Sequence, residues 1–148
     1  MNVLFTDCMT VYNYHRDKDS GKETWQRTVI HGVQWRHGKR GIAITAGEVT
    51  AGNVESITID CEHTYGNKPY VDSAIYSRLS EQERAVRWTL NDLEGQDVLV
   101  YGETEQEIND EYRIKNLLQD HTYAGIVVSV SDNRNRPRLK HMRVEVKR

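Results

Sequence analysis

Cysteine, proline and long apolar runs are all scarce in this sequence. Two cysteines, Cys8 and Cys61, are too few for a disulfide framework. Two prolines, Pro69 and Pro137, form no proline-rich linker, and no internal repeat divides the chain. No stretch nears the roughly 20 apolar residues of a membrane-spanning helix. With a mean hydropathy of −0.74, membrane insertion is not expected. Asn2 to Tyr14 lacks a basic leader followed by a long apolar run, so no signal peptide is expected and a reduced, cytosolic origin is the default.

Catalytic signatures are missing too. There is no Gly-x-Ser-x-Gly elbow, phosphate-binding loop or dinucleotide fingerprint. The six histidines include pairs that folding could bring together, His31 with His37 or His121 with His141. Without His-Glu-x-x-His or Cys-x-x-Cys spacing, the three or four converging ligands of a zinc site are not indicated. Neither an enzyme nor a cofactor is expected.

What the chain does have is charge, unevenly placed. The 148 residues carry a net charge of −2, which argues against a globally basic nucleic-acid binder. Asp92 to Tyr112 nevertheless holds eight carboxylates and no Lys or Arg, whereas His121 to Arg148 holds seven basic residues against Asp132 and Glu145. Glu103, Glu105 and Glu107 lie in the acidic part, and Arg134, Arg136, Arg138 and Lys140 in the basic part. A carboxylate run reads either as a solvated loop or as an interaction face. Opposite charges on two faces of one chain would steer identical subunits into a head-to-tail ring. The basic hairpin could instead touch phosphate backbones, although no aromatic lies between Asn133 and Arg148 to stack on bases.

The apolar pattern mostly has period two. Met9 to Tyr14 reads as a strand, followed by a charged turn. Thr24 to Arg36 reads as a long strand with a bulge at Gly32. Ile42 to Thr45 is a short strand. Val54 to Cys61 sets Ser56, Thr58 and Asp60 on one face against Ile57, Ile59 and Cys61 on the other. Asp72 to Val86 switches to helical spacing through Ile75, Leu79 and Val86, a short helix or two abutting ones, with a capping box at Ser80 to Glu83. Trp88 to Leu90 and Asp97 to Tyr101 return to strand. Ile108 to Gln119 is a second helix candidate, and Tyr123 to Val130 with Leu139 to Val146 closes the chain as a hairpin. The expectation is one mainly β domain over residues 1–148: a small β-barrel or sandwich of about eight short strands, with one or two helical insertions. Trp25, Trp35 and Trp88 are expected to pack in a core that is otherwise modest.

The order of these pieces resembles a known family. Val11-Tyr12-Asn13-Tyr14, the run Trp25 to Trp35, the helix-like Tyr70 to Leu79, Trp88-Thr89-Leu90 with Asp97 to Glu103, and the closing Val128-Ser129-Val130 and Arg143 to Val146 look like small neck proteins of tailed phages and prophages of Gram-positive bacteria. That resemblance implies a virion structural protein, a head-closure (stopper) or head–tail connector subunit assembled in the host cytoplasm. It would form a homo-oligomeric ring, with a portal or adaptor protein above and a tail-completion or tail-tube protein below. Packaged DNA would be a non-specific contact in the lumen, and Glu103, Glu105, Glu107, Arg134, Arg136, Arg138 and Lys140 would serve the subunit or partner interface. The alternative reading is a module that contacts nucleic acid through its basic C-terminal hairpin.

Overall fold

The computed structural model describes residues 5–37, 41–45, 48–52, 54–93, 96–135 and 140–148, and for 41–45 and 48–52 the backbone alone. The first two expected strands are present as β1 (Asp7–Arg16) and β2 (Glu23–Arg36), paired as an antiparallel hairpin. Next come β3 (Gly41–Thr45), β4 (Glu48–Gly52), β5 (Val54–Asp60) and the two-residue β6 (Tyr65–Gly66). Two one-turn helices follow, α1 (Ser73–Tyr76) and α2 (Glu81–Arg84), then β7 (Val98–Tyr101), α3 (Ile114–Asp120), β8 (Ala124–Asp132) and β9 (His141–Lys147).

Seven strands make one antiparallel sheet in the order β1-β7-β8-β9-β5-β2-β6. Because β1 also pairs with β2, six of them close into a ring. β3 and β4 stand apart as a two-stranded sheet of their own. The mainly β class read from the sequence is therefore correct.

Alternation explains how the ring fills. On β5, Ile57 and Ile59 turn inward while Ser56 and Thr58 face out; on β9, Met142, Val144 and Val146 turn inward. They meet Met9, Val11, Ile30, Val33, Trp35, Leu99 and Val127 in one cluster, joined by Trp88 and Leu90 from the loop before β7. A second cluster lies on the opposite face of β1 and β7, where Tyr12, Val98, Val100, Leu117 and Ala124 pack with Trp25, Ile108, Tyr112, Ile114 and Leu118. β1 and β7 are thus buried on both faces, which is why Val98-Leu99-Val100 is an unbroken apolar run. Trp35 and Trp88 are buried and Trp25 is half-buried against Tyr14, as expected of packing residues.

The bulge expected in β2 is present. Asp7 pairs with Val33 and Cys8 with His31, leaving Gly32 unmatched at φ +75°. A Cβ there would sit 3.1 Å from the His63 carbonyl oxygen, so both backbone angle and space call for glycine. Gly32→Ala is expected to cost about 1–3 kcal/mol in thermal unfolding. A melting temperature equal to that of the native chain would disprove this account.

Three expectations are corrected. The 72–86 segment forms two short helices, as its pattern allowed, each a single turn, but its apolar stripe does not face the core. Ile75 is 49% and Val86 51% exposed, whereas Tyr76 and Arg84 are buried. The capping box does form: the Ser80 hydroxyl accepts from Glu83 N at 3.2 Å, and Ser80 N donates to Glu83 Oε1 at 3.3 Å. The second helix begins at Ile114 rather than Ile108, because Asn109 Oδ1 accepts from Glu111 N and Tyr112 N, both at 2.9 Å, and holds that stretch in a turn. Trp88 to Leu90 makes a single bridge, Tyr70 to Trp88, instead of a strand.

Candidate functional site

The acidic segment divides into pieces with different fates. Asp92 accepts from Val130 N at 3.0 Å. Asp97 is 2% exposed and belongs to the interior. Residues 102–108 form an extended strap across the outer face of β1 and β2. Thr10 Oγ1 donates to the Gly102 carbonyl at 2.9 Å and accepts from Thr104 N at 3.0 Å. The Tyr12 hydroxyl donates to the Gln106 carbonyl at 2.6 Å, and Arg27 Nη1 to the Thr104 carbonyl at 3.1 Å. Even-numbered residues are half-buried against the body, and by the period of an extended chain Glu103, Glu105 and Glu107 are exposed. The three carboxylates form a ridge on a strap whose backbone is tied down.

Only one of them is neutralised locally. Arg27 Nε donates to Glu107 Oε1 at 2.9 Å, and among the described residues Glu103 and Glu105 form no ion pair. Arg27 also stands beside Lys68, a half-buried ammonium whose pKa is lowered mainly by burial and further by the Arg27 charge.

The basic end is partly consumed within the chain. Arg134 grips Asp132 with Nε and Nη2, reaches Asp72 Oδ1 at 2.8 Å, and lies over the Tyr70 ring at 5.1 Å. The pairing raises the Arg134 pKa and lowers that of Asp132. Arg148 donates to the Leu118 and His121 carbonyls at the C-terminal end of α3, where the helix dipole favours a cation, and to the Ala124 carbonyl at the start of β8. Lys140 is exposed, and Arg136 and Arg138 lie outside the described residues. Among the described residues, the acidic ridge and Arg134 lie apart: Glu103 and Glu107 line a cleft on one flank of Tyr65 to Lys68, and Arg134 lines another on its other flank.

The remaining candidates separate. His31 stacks on Tyr65, whereas His37 stacks on Tyr123 at 3.8 Å and contacts Glu55 at 3.3 Å, so the two histidines do not share a site. Among the described residues, no group of three or more His, Cys, Asp or Glu could hold a metal ion. Burial pushes both thiols up; Glu103 and Asp7 add to the effect at Cys8.

Sequence reasoning missed the cluster of Trp35, His37, Tyr101 and Tyr123 above buried Glu55, with Tyr101 and Tyr123 exposed. Its members come from three distant segments, and ring closure alone unites them. No helix among the described residues is long and apolar enough to cross a membrane.

Compared with known proteins, residues 4–147 match the model of a family of unknown function, DUF6751. No curated protein and no solved structure matches the chain.

Proposed function

The chain belongs to the DUF6751 family, whose function is unknown, and we propose that it is a structural subunit of a tailed-phage neck. Its role there is that of a head-closure or head–tail connector protein. Copies of the chain assemble as a ring between the portal or adaptor protein and the tail, and the ring is part of the virion. The observation that carries this reading is the acidic strap. Glu103 and Glu105 project from a backbone fixed by four hydrogen bonds, with no cation of their own chain to meet them among the described residues. Holding like charges side by side on a rigid ridge costs energy in the isolated chain, and a complementary neighbour offsets that cost.

The sequence resemblance supports the same reading. Each exposed pair across such a contact contributes only about 0–1 kcal/mol, so charge sets orientation and encounter rate while buried contacts supply affinity.

The test is genetic and structural. Deleting the gene from the phage or prophage that carries it should leave DNA-filled heads and finished tails unjoined, with infectious titre at background. A double reversal, Glu103→Lys with Glu105→Lys, should slow assembly most at low salt. Particles that join and infect normally without the protein would overturn the reading.

A further inference from the structure

β2 is paired unequally on its two sides. Towards β1 it is matched from Glu23 to Val33. On the other side β6 takes Ile30 and His31, and β5 takes Val33 to Arg36. Among the described residues, no strand pairs with 23–29 on that side. Successive peptide groups of a strand point in alternate directions. The Arg27 carbonyl faces the open side, since Lys68 Nζ donates to it at 2.9 Å while also reaching Thr28 Oγ1 at 3.0 Å. By alternation, the N–H and C=O groups of Trp25 share that edge, whereas the Val29 carbonyl is already covered by the backbone at Gly66. A cleft of about 730 Å³ runs along it, walled by Gln26, Arg27, Val29, Tyr65, Lys68 and Glu103. An edge of this kind is a template for another strand.

The β3–β4 hairpin has the complementary property. Its register runs from Gly41 opposite Gly52 to Thr45 opposite Glu48, and among the described residues it joins no other strand. A lone two-stranded hairpin is at best marginally stable in water. From Gly41 to Gly52 the sequence carries one charge, Glu48, so little in its composition guards its outer edges. Each of its strands has five residues, short enough to lie along the open stretch of β2.

We infer that the β3–β4 hairpin of one copy adds, through main-chain hydrogen bonds, to the open edge of β2 at residues 23–28 in the next copy. This inference rests on the ring proposed above and supplies its contact. The hairpin of the same copy is badly placed for the task. It leaves β2 at Arg36, and β5 and β6 occupy that side of β2 between its root and the open stretch. A neighbour's hairpin meets no such obstacle. On docking, a strand N–H replaces the Lys68 ammonium at the Arg27 carbonyl. Donor and acceptor are different surfaces, so each copy gives one hairpin and takes one, the head-to-tail arrangement that closes into a ring.

The experiment replaces residues 41–52 with a short Gly-Ser linker, which leaves the seven-stranded sheet intact, and checks folding by circular dichroism. Ile44→Pro, which removes one main-chain donor from the hairpin, is the second variant should the linker chain misfold. Sedimentation velocity should show the native chain assembling with concentration and either variant remaining a monomer. Added to the native chain, the linker variant should cap growth, because it accepts a hairpin and offers none. Hydrogen exchange at the amides of Trp25 and Arg27 should slow roughly tenfold or more in the native assembly. Native assembly that survives both variants, or protection that avoids 25–28, overturns the hairpin contact while the ring stands. A native chain that stays monomeric at every concentration overturns the ring, and the contact with it.

Discussion

Asp97→Ala is expected to lose about 3–6 kcal/mol of folding stability, a large share of the roughly 5–15 kcal/mol that holds a domain together. Three donors converge on this carboxylate. Tyr14 N reaches Oδ1 at 2.8 Å, while Asn91 N and Asn13 Nδ2 reach Oδ2 at 2.9 and 3.1 Å. Asn13 is itself fully buried, and it also donates to the Thr89 carbonyl at 2.6 Å and accepts from Thr89 N at 3.2 Å. Asp97 and Asn13 together fasten the loop carrying Trp88 and Leu90 to β1, which keeps those apolar groups in the core. Alanine would leave up to three donors without a partner in a place water reaches poorly, at about 1–3 kcal/mol each. Asp97→Asn, which keeps the shape and one acceptor, should lose less. Equilibrium urea unfolding measures both, and a loss under about 1 kcal/mol for the alanine variant would show that the carboxylate is not the clasp described.

Alkali is expected to unfold the protein cooperatively between about pH 10 and 12. Burial pushes the Tyr12 phenol up to about 12, and likewise Tyr70, where the Arg134 charge opposes the shift. Tyr76 is raised as well, by burial first and then by the Asp97 carboxylate. In each case the folded state favours the neutral phenol. An unfolded tyrosine ionises near pH 10. The contribution of these groups is therefore complete below about pH 10, and it is lost as pH rises through the folded values. A shift of two pH units corresponds to about 2.7 kcal/mol for one group, so Tyr12 and Tyr70 together account for several kcal/mol. Absorbance of phenolate should show these three of the eight tyrosines appearing in step with the loss of near-ultraviolet circular dichroism. Phenols that titrate while the native signal persists would refute the burial assigned to them.

The strands were legible because their period is local. Ile57 and Ile59 against Ser56 and Thr58 state which face is dry, and Gly32 in a run of large residues marks the bulge. Capping at Ser80 and Glu83 was equally readable, since both partners of the motif lie within one turn. Asp97 was not. Counted among eight carboxylates it looks solvated, and only the return of β7 beside β1 reveals three donors waiting for it. The helix stripe failed for a similar reason: each helix is a single turn, too short for its periodicity to choose a face, so Tyr76 turned inward and Ile75 outward. In the candidate site, the exposure of Glu103 and Glu105 follows from anchors at Thr10, Tyr12 and Arg27, more than seventy residues away in the chain. Arg134 likewise finds Asp72 across 62 positions, a pairing that segment charge counts could not anticipate.

The burial of β1 on both faces bears on how the chain is made. β1 can pair with β2 as soon as both have left the ribosome, but its other edge waits for β7, since Met9 is matched to Tyr101 and Tyr12 to Val98. At roughly 5–20 residues per second, the intervening stretch takes on the order of 5–20 s to synthesise. For that interval Tyr12, Val11 and Met9 lie on a growing chain with an unfilled interior and an unsealed strand. Closing the ring over so long a separation is also slow in itself, on the millisecond to second scale of non-local β folds. Because the ring closes only through β8 and β9, whose Val127, Met142, Val144 and Val146 complete its interior, nascent chains stay exposed to misassociation until the C-terminal strands emerge, a window in which a chaperone has the most to protect.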